Sequence, residues 1–464
     1  ANSAAASGGY AVDNSCRFDG SSSYLTKTGS SGNRKVFTFS TWLKRSTLTA
    51  GAEQIIGQSS ETSGNDTFRI LFDAGGTPDQ IRVFSSNGNM NKIPSMKFRD
   101  TSAWYHVVMA FDTTQSTAAD RNKIYVNGNL ITDFSTSVDV DINTSFEFNI
   151  PNEHTIGRNG YTNTEFFGGY MAETVLIDGT QYAASDFGEF DEDSGIWKPI
   201  DVSGLTFGTN GFYLDFKDSA NLGNDANGGT DLTEAGLAAI DQSTDTCTNN
   251  FATGNPLDNG CGKAPTFSEG NLKYVSSSTF NFALPTIGVS SGKWYMEIKY
   301  SALGSGGSIM AGITDQFDNT NRDLTGNAFA GGEPLGIGYY QNGNKYLNNV
   351  ASSYGSTYTT GDIIGVYLDV DNSKLYFAKN GTLQNSGTGL DLPSSANSTG
   401  VFFFMPSVDK ATIEVNYGNP TFTGTDKTDA NGYGSFEYDP SAGTFDSASK
   451  DFYAICTKNL AEYG

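Results

Sequence analysis

The sequence lacks the features that membrane-spanning and nucleic-acid-binding proteins need. No run of 18 or more apolar residues occurs among its 464 residues, so no segment is predicted to cross a membrane as a helix. Basic residues are scarce, because 28 Lys and Arg stand against 51 Asp and Glu, for a formal net charge of −23. A chain this acidic lacks a cationic surface for nucleic acid, so we expect no nucleic-acid partner and no membrane insertion.

Cysteine is also scarce, which limits the metal sites that the chain can form. The four cysteines are Cys16, Cys247, Cys261 and Cys456, and no Cys-x-x-Cys pair occurs, so a zinc site is not predicted. Cys247 and Cys261 flank a loop rich in Gly, Asn and Pro, and they form either a disulfide or two buried thiols. The first residues contain neither a basic nor an apolar segment, so we expect synthesis in a cytoplasm without a signal peptide.

Glycine and aromatic residues, by contrast, are plentiful. The chain has 55 glycines, 13% aromatic residues and only 17% charged residues, a composition typical of an all-β protein with many turns. Apolar residues alternate in runs of about four to nine residues that end at Gly, Asn, Asp or Ser, as in two-sheet sandwiches. We therefore predict an all-β chain of two antiparallel β-sandwich (jelly-roll) domains joined by an irregular connector.

The clearest hairpin lies at residues 361–381. Ile364, Val366 and Leu368 alternate with Gly365 and Tyr367, which predicts a strand with one buried face. Turn-forming residues follow, and the apolar alternation then resumes on a returning strand.

This hairpin resembles the central hairpin of the SPRY domain. Three further segments resemble strands of that family in the same order, namely residues 292–300, 336–343 and 402–408. The resemblance covers about 150 residues. It implies a bent β-sandwich that recognises partners through its loops and has no catalytic residues.

The first part of the chain resembles a laminin-G-like, concanavalin-type jelly roll. The matching segments are residues 18–20, 39–44, 104–107, 125–128, 156–158 and 167–173. This fold hosts lectins, adhesive modules and some glycan hydrolases and lyases, so the fold alone does not fix a function. The predicted domains are a laminin-G-like domain at 1–182, a connector at 183–265, a SPRY-like domain at 266–425 and a tail at 426–464.

One stretch of the SPRY-like half is rich in tyrosines and amides. Amphipathic rings stack on sugars or protein surfaces and amides form hydrogen bonds with them, so this stretch is a candidate ligand-binding site. The alternative is that about half of these tyrosines are core residues. The candidates are Tyr339, Tyr340, Gln341, Asn342, Tyr346 and Tyr354.

The connector contains an oxygen-rich loop. Calcium takes six to eight oxygen ligands, and the candidates here are Asp215, Asp218, Asn221 and Asp225. Their spacing does not follow a calcium-loop pattern, so the alternative is that these residues only form turns. Apart from Ca²⁺ at this loop, we expect no cofactor.

The catalytic patterns that suit these folds are missing. His106 lies within an apolar strand and His154 lies in a loop, and no Gly-x-Ser-x-Gly elbow lies beside either histidine. Laminin-G-like glycanases carry a Glu-x-Asp-x-x-Glu strand, which this sequence lacks. Acid groups such as 191–193 are interpreted as solvated surface, and we expect no enzymatic activity.

Residues 209–229 and 248–259 resemble segments of structural proteins from marine tailed bacteriophages, in which laminin-G-like and SPRY-like modules occur side by side. The resemblance implies a virion fibre, appendage or decoration protein that contacts host-surface glycans or neighbouring virion proteins. Such proteins are homo-oligomers, often trimers, because symmetry gives avidity. The alternatives are a secreted or cell-surface lectin-like adhesin and a polysaccharide depolymerase. Further modules beyond residue 464 would also fit this class.

Overall fold

The chain is almost wholly β-structure, as predicted. The computed structural model describes residues 9–48, 51–60, 63–73, 78–258, 264–315, 329–394, 398–446 and 450–464. These residues form 32 strands and one short α-helix, and no helix among them is long and apolar enough to cross a membrane. The chain divides into two compact units, Ala1–Asn249 and Asn250–Gly464.

Unit 1 contains strands β1 to β18. Their bounds, in order, are Ser15–Asp19, Tyr24–Thr28, Val36–Arg45, Glu53–Ser60, Ser63–Phe72, Ile81–Ser85, Met90–Pro94, Tyr105–Asp112, Asn122–Val126, Asn129–Leu130, Phe134–Val138, Glu153–Ile156, Gly168–Asp178, Gly188–Phe190, Trp197–Pro199, Phe212–Leu214, Thr233–Ala235 and Gln242–Ser243. Short 3₁₀ helices lie at Asn87–Asn89, Ala118–Asp120, Ala184–Asp186 and Ala239–Asp241.

Two eight-stranded antiparallel sheets form the sandwich of unit 1. Sheet 1 has the order β10-β9-β8-β3-β13-β1-β18, with β16 also paired to β13, and sheet 2 has the order β11-β7-β6-β5-β4-β12-β2-β17. Phenylalanines fill the space between them because alternate residues of a strand point to the same face. Phe37 of sheet 1, for example, packs edge-on against Phe68 of sheet 2, with ring centroids 5.4 Å apart.

Residues 183–249, here called the covering segment, belong to unit 1. Strands β16, β17 and β18 extend its two sheets, so the boundary between the units falls at Asn249 rather than at residues 182 and 266. The Cys247 thiol in this segment is buried and free, and Cys261 lies outside the described residues.

Unit 2 contains strands β19 to β32 and helix α1 (Thr457–Tyr463). The strands, in order, are Thr266–Ser268, Lys273–Val275, Phe280–Phe282, Lys293–Thr314, Gly336–Tyr340, Asn344–Leu347, Val350–Ser353, Ile363–Asp369, Lys374–Lys379, Thr382–Leu383, Leu390–Asp391, Phe403–Phe404, Ser407–Asn416 and Tyr453–Ala454, with a 3₁₀ helix at Asn385–Gly387. All fourteen strands belong to one network because the long strand β22 pairs with β26 along its first half and with β23 along its second.

The predicted hairpin is present as β26 and β27. Ile364, Val366 and Leu368 lie in the main core, as expected. The opposite face is buried as well, because Phe445 and Phe452 of the C-terminal part pack over it. Tyr367 contacts the rings of Phe445 and Phe452 at centroid distances of 5.2 and 5.1 Å, and this apolar layer is what the strand alternation alone does not predict.

Candidate functional site

The outer face of sheet 1 is buried beneath the covering segment. Lys44 Nζ donates to Asp245 Oδ2 at 2.7 Å, and the two side chains are only 1% and 0% exposed. Farther along the face, Trp197 Nε1 donates to His106 Nδ1 at 2.9 Å. All eleven residues of β13 are buried. This face is therefore closed to ligands along its central strands.

The outer face of sheet 2, here called the open face, has the opposite character. Strand β6 alternates buried and half-buried residues. Strand register places one outward residue of each strand in a single row: Thr233, Thr26, Thr155, Gly57, Arg69, Phe84, Asn91 and Val138. The adjacent inward row, which includes Ile56 and Ile70, lies in the core. Polar and aromatic side chains thus cross the whole sheet on one side.

Gln54 organises the centre of the open face. Its Nε2 donates to Thr155 Oγ1 at 3.1 Å, and its Oε1 accepts a hydrogen bond from Arg69 Nε at 2.7 Å. Arg69 also pairs with Glu165. Gly57 makes room for this amide, because a Cβ at that position would lie 2.5 Å from Gln54 Nε2. The amide fixes the Arg69 guanidinium without neutralising its charge.

Each flank of the open face carries an arginine over an aromatic ring. The guanidinium of Arg158 lies 3.7 Å from the ring centroid of Tyr24, and its Nη2 donates to Glu153 Oε1 at 3.1 Å. The guanidinium of Arg82 lies 4.7 Å from the ring centroid of Phe84. Cation–π contacts of this kind hold the charged groups flat against the sheet.

The charges of the open face are balanced in pairs. The three pairs are Arg69–Glu165, Arg158–Glu153 and Arg82–Asp73, the last with Nη1 and Oδ1 3.6 Å apart. Burial, followed by the charge of Arg82, lowers the pKa of Arg69 to about 10, so this guanidinium stays protonated at neutral pH. The face therefore offers alternating hydrogen-bond donors and acceptors and little net charge.

A concave region of about 590 Å³ lies elsewhere in unit 1, away from the open face, between the loop before β3 and the end of β13. The Asp178 carboxylate in its lining accepts hydrogen bonds from the backbone of Asn33 and Asn210 and from Asn149 Nδ2. Because these donors already occupy the carboxylate, this cleft offers fewer free groups than the open face.

Comparison with known families agrees with this architecture. Residues 19–182 match the family profile of the concanavalin A-like lectin/glucanases superfamily, and residues 293–420 match that of the SPRY domain. The chain contains a concanavalin-like domain and a SPRY domain.

Individual relatives match the chain only in part. The Xenopus laevis ATP-dependent RNA helicase DDX1 is 30% identical over 140 residues, which are 30% of this chain and 17% of the helicase. A Bacteroides ovatus protein of known structure, provisionally described as carbohydrate binding, shares 18% identity over 48% of this chain and 58% of its own, with a TM-score of 0.37. A human SPRY domain shares 18% identity over 31% of this chain and 88% of its own, with a TM-score of 0.24.

The structure uses several of the predicted ligand-binding residues of the SPRY domain for packing. Tyr339 is fully buried and lies 5.4 Å from the Phe377 ring, and Tyr354 lies 5.8 Å from the same ring. Gln341 Oε1 accepts hydrogen bonds from the Tyr300 hydroxyl and the Ile309 backbone at 3.0 and 2.9 Å. These three side chains hold the SPRY domain together.

The other three predicted residues remain at the surface. Tyr340 and Tyr346 are half-buried, with edge-on rings 5.8 Å apart, and Asn342 is exposed. Ligand binding by the six predicted residues remains a prediction.

The predicted calcium ligands are not gathered around one point. Asp215 and Asp218 accept hydrogen bonds from the backbone two residues ahead, and Asn221 donates to Asp231. Asp225 is buried, with Lys27 Nζ 3.6 Å from its Oδ2. Among the described residues, no group of three or more His, Cys, Asp or Glu side chains is placed to hold a metal ion.

His106 and His154 are both buried. Because Trp197 donates to His106 Nδ1, the proton of this imidazole lies on Nε2 and is directed to Ser40 Oγ at 2.8 Å. Burial lowers the pKa of His106 to about 3 and that of His154 to about 4. Both rings are therefore neutral packing groups at neutral pH.

The sequence contains a signal for the open face. Arg69 and Arg82 each occupy an alternating position within an apolar run, 68–72 and 81–84. A charged residue inside an alternating strand marks the outward face. Gln54 carries no such signal, because its role depends on strand pairing far along the chain.

Proposed function

We propose that this chain is a non-enzymatic adhesive protein whose concanavalin-like domain binds hydroxyl-rich glycans on its open face. The observation that carries the proposal is the contrast between the outer faces of its two sheets, one covered and the other lined with half-exposed polar groups. Because the chain covers the polar outer face of sheet 1 and leaves that of sheet 2 accessible, we place ligand binding on sheet 2.

The chemistry of the open face suits neutral sugars. A sugar hydroxyl both donates and accepts, so it fits between a guanidinium and a carboxylate held side by side, as in Arg69–Glu165 and Arg158–Glu153. The rings of Phe84 and Tyr24 supply apolar contact area among these polar groups. Because the charges are paired, binding does not require an anionic sugar.

We further propose that the protein is part of a tailed-phage virion, as a fibre, appendage or decoration protein. The resemblance of residues 209–229 and 248–259 to phage structural proteins supports this proposal, as does the combination of the two domains. In that setting the protein is a homo-oligomer, and its partners are host-surface glycans and neighbouring virion proteins. Mass spectrometry of purified particles tests the assignment, and absence of this chain from them rejects it. A secreted adhesin would also use the open face, and a signal peptide in the gene would favour it.

A polysaccharide depolymerase is the second candidate, because Glu153 and Glu165 both lie at the open face. Two carboxylates are the usual catalytic pair of glycosidases. Here each carboxylate already pairs with an arginine, Arg158 or Arg69. Release of reducing ends from a bound glycan, lost in Glu165→Gln, would replace the adhesive proposal.

A glycan array tests the proposed binding. The full chain, presented in multivalent form, is compared with Arg69→Ala and with Arg34→Ala as the matched control. Arg34 also pairs with a glutamate, Glu147, but in the loop before β3. We expect Arg69→Ala to lose the array signals and Arg34→Ala to keep them. Equal signals from both variants would contradict the assignment to the open face.

A further inference from the structure

The hairpin of β14 and β15 presents an exposed aromatic side chain. Phe190 is 49% exposed, although it is large and apolar. Its strand partner is Trp197, and the two rings meet edge-on with centroids 4.8 Å apart. The outer part of the Phe190 ring is therefore accessible to another molecule.

The hairpin is anchored firmly to unit 1. Trp197 donates its indole N–H to His106 Nδ1 at 2.9 Å. The same indole rests on Gly128, where a Cβ would lie 2.3 Å from the ring. Leu130, two residues farther along, is also 49% exposed. Phe190 is thus held out on a rigid support, with a second apolar residue beyond the Gly128 turn.

The tip of the hairpin is acidic. Lys198 Nζ lies 3.3 Å from Glu189 Oε1 and 3.2 Å from Asp191 Oδ2. Glu192 and Asp193 are exposed, and neither forms an ion pair with any residue that the structure describes. The hairpin that carries Phe190 therefore holds four carboxylates and one lysine, with Glu189 and Lys198 on the face opposite Phe190.

The tip also has a fixed shape. Hydrogen bonds to the Asp191 carboxylate from the Ser194 backbone and hydroxyl close the turn, both at 2.9 Å. These bonds, the backbone one first, lower the pKa of Asp191 to about 2, so its charge persists across the physiological pH range. A fixed acidic turn beside an exposed ring is a preformed surface, which limits the entropy lost on binding.

We propose that this hairpin is a docking site for a basic segment of a partner protein. A lysine or arginine side chain would lie on the Phe190 ring, where the cation–π attraction adds to the charges of Glu192 and Asp193. An aromatic centre with a charged rim is the usual anatomy of a protein interface. The unpaired carboxylates favour a cationic protein segment over a neutral glycan. This proposal does not depend on glycan binding by the open face.

Fluorescence polarisation with a labelled peptide of alternating arginine and leucine tests the proposal on the full chain. We expect Phe190→Ser to weaken binding about tenfold, as loss of an interface hot spot does. The double change Glu192→Gln and Asp193→Asn should weaken it by about three- to tenfold at low salt. Tyr161→Ser is the matched control, because Tyr161 is 48% exposed and lies outside the hairpin.

A second peptide, with citrulline in place of arginine, shows whether charge is recognised. We expect it to bind at least about tenfold more weakly. Equal affinity of the arginine peptide for the native chain and Phe190→Ser would overturn the proposal, because the peptide would then respond only to the overall acidity. Equal binding of the citrulline peptide would overturn the cationic partner, and glycan-array signals lost in Phe190→Ser would assign the hairpin to sugar binding.

Discussion

The two sheets of unit 1 treat their outward charged residues in opposite ways. On sheet 1, Arg17 and Lys44 are each 1% exposed and pair with Asp241 and Asp245 of the covering segment. On sheet 2, the Arg69 and Arg82 side chains are 19% and 30% exposed. The arginines of the open face pair with residues of their own sheet and the adjacent loops. The covering segment buries the outer face of sheet 1, whereas the outer face of sheet 2 stays partly exposed to water.

This difference indicates which charged residues contribute most to the stability of unit 1. A buried charge is tolerated only with a partner, so Lys44 and Asp245 depend on each other. The charges of the open face are less buried than these, and each has a partner. We therefore expect the pairs of the open face to contribute less to folding than the pairs of the covered face, and we propose that their order serves a ligand whose hydroxyls replace the water.

The largest expected effect comes from breaking a pair of the covered face. Asp245→Ala leaves Lys44 buried without its carboxylate, so we expect the free energy of unfolding of unit 1 to fall by about 3–5 kcal/mol. Arg69 is more exposed than Lys44, so we expect a smaller loss from Arg69→Ala, of about 1–2 kcal/mol. Denaturant unfolding of the full chain, followed by tryptophan fluorescence, measures both. Equal losses would remove the distinction between the two faces.

Glu173 should make the stability of unit 1 depend on pH. It lies on the covered face and accepts a hydrogen bond from the Tyr213 hydroxyl at 2.7 Å. Burial raises its pKa from 4.5 to about 7. Between these values the folded state keeps a proton that the unfolded state releases. The contribution to stability is therefore present below pH 4.5 and is lost as the pH rises towards 7, by about 3 kcal/mol at most.

Glu173→Gln should remove this slope. The difference in unfolding free energy between the native chain and the variant is measured at intervals from pH 4.5 to 7.5. We expect it to change most between pH 4.5 and 7 and to level off above pH 7. A constant difference would mean that folding does not raise the pKa of Glu173. Glu153→Gln at the open face is the control for the replacement of a glutamate by glutamine.

Most of the fold follows from local patterns in the sequence. Alternation in residues 361–381 predicts β26 and β27, and the ordered segments in residues 18–173 predict the concanavalin-like domain, which the family match confirms. These signals are local because strand period and turn chemistry depend on neighbouring residues.

The covered faces could not be predicted in this way. Burial of Trp42 and Lys44 depends on residues some 200 positions later, and burial of Tyr367 depends on Phe436, Phe445 and Phe452. The same limit affects the sites. Tyr339 and Tyr354 are of the residue type that binds ligands, but Tyr339 is a core residue and Tyr354 packs against the same core. Gln54 looks ordinary until β4, β5 and β12 meet around it.

Gln54→Ala is a milder change that acts on the open face. It removes the acceptor of Arg69 Nε and the donor to Thr155, so the guanidinium is no longer held in place. We expect glycan affinity to fall by about five- to tenfold, from loss of preorganisation, and unfolding free energy by about 1–2 kcal/mol. Calorimetric titration with an array-selected glycan measures the affinity. An unchanged affinity would show that Arg69 needs no support.

The smallest expected effect is that of metal removal. The open face is built from guanidinium, carboxylate, amide and aromatic groups, and the buried carboxylate of Asp225 has the Lys27 ammonium as its neighbouring cation. We therefore propose that glycan binding needs no Ca²⁺. Excess EDTA should change the glycan dissociation constant by less than about twofold. If EDTA instead abolished binding and Ca²⁺ restored it, a site containing Asp215, Asp218, Asn221 and Asp225 would have to form on binding. Glycan recognition would then lie at the covering segment over sheet 1 and not at the open face of sheet 2.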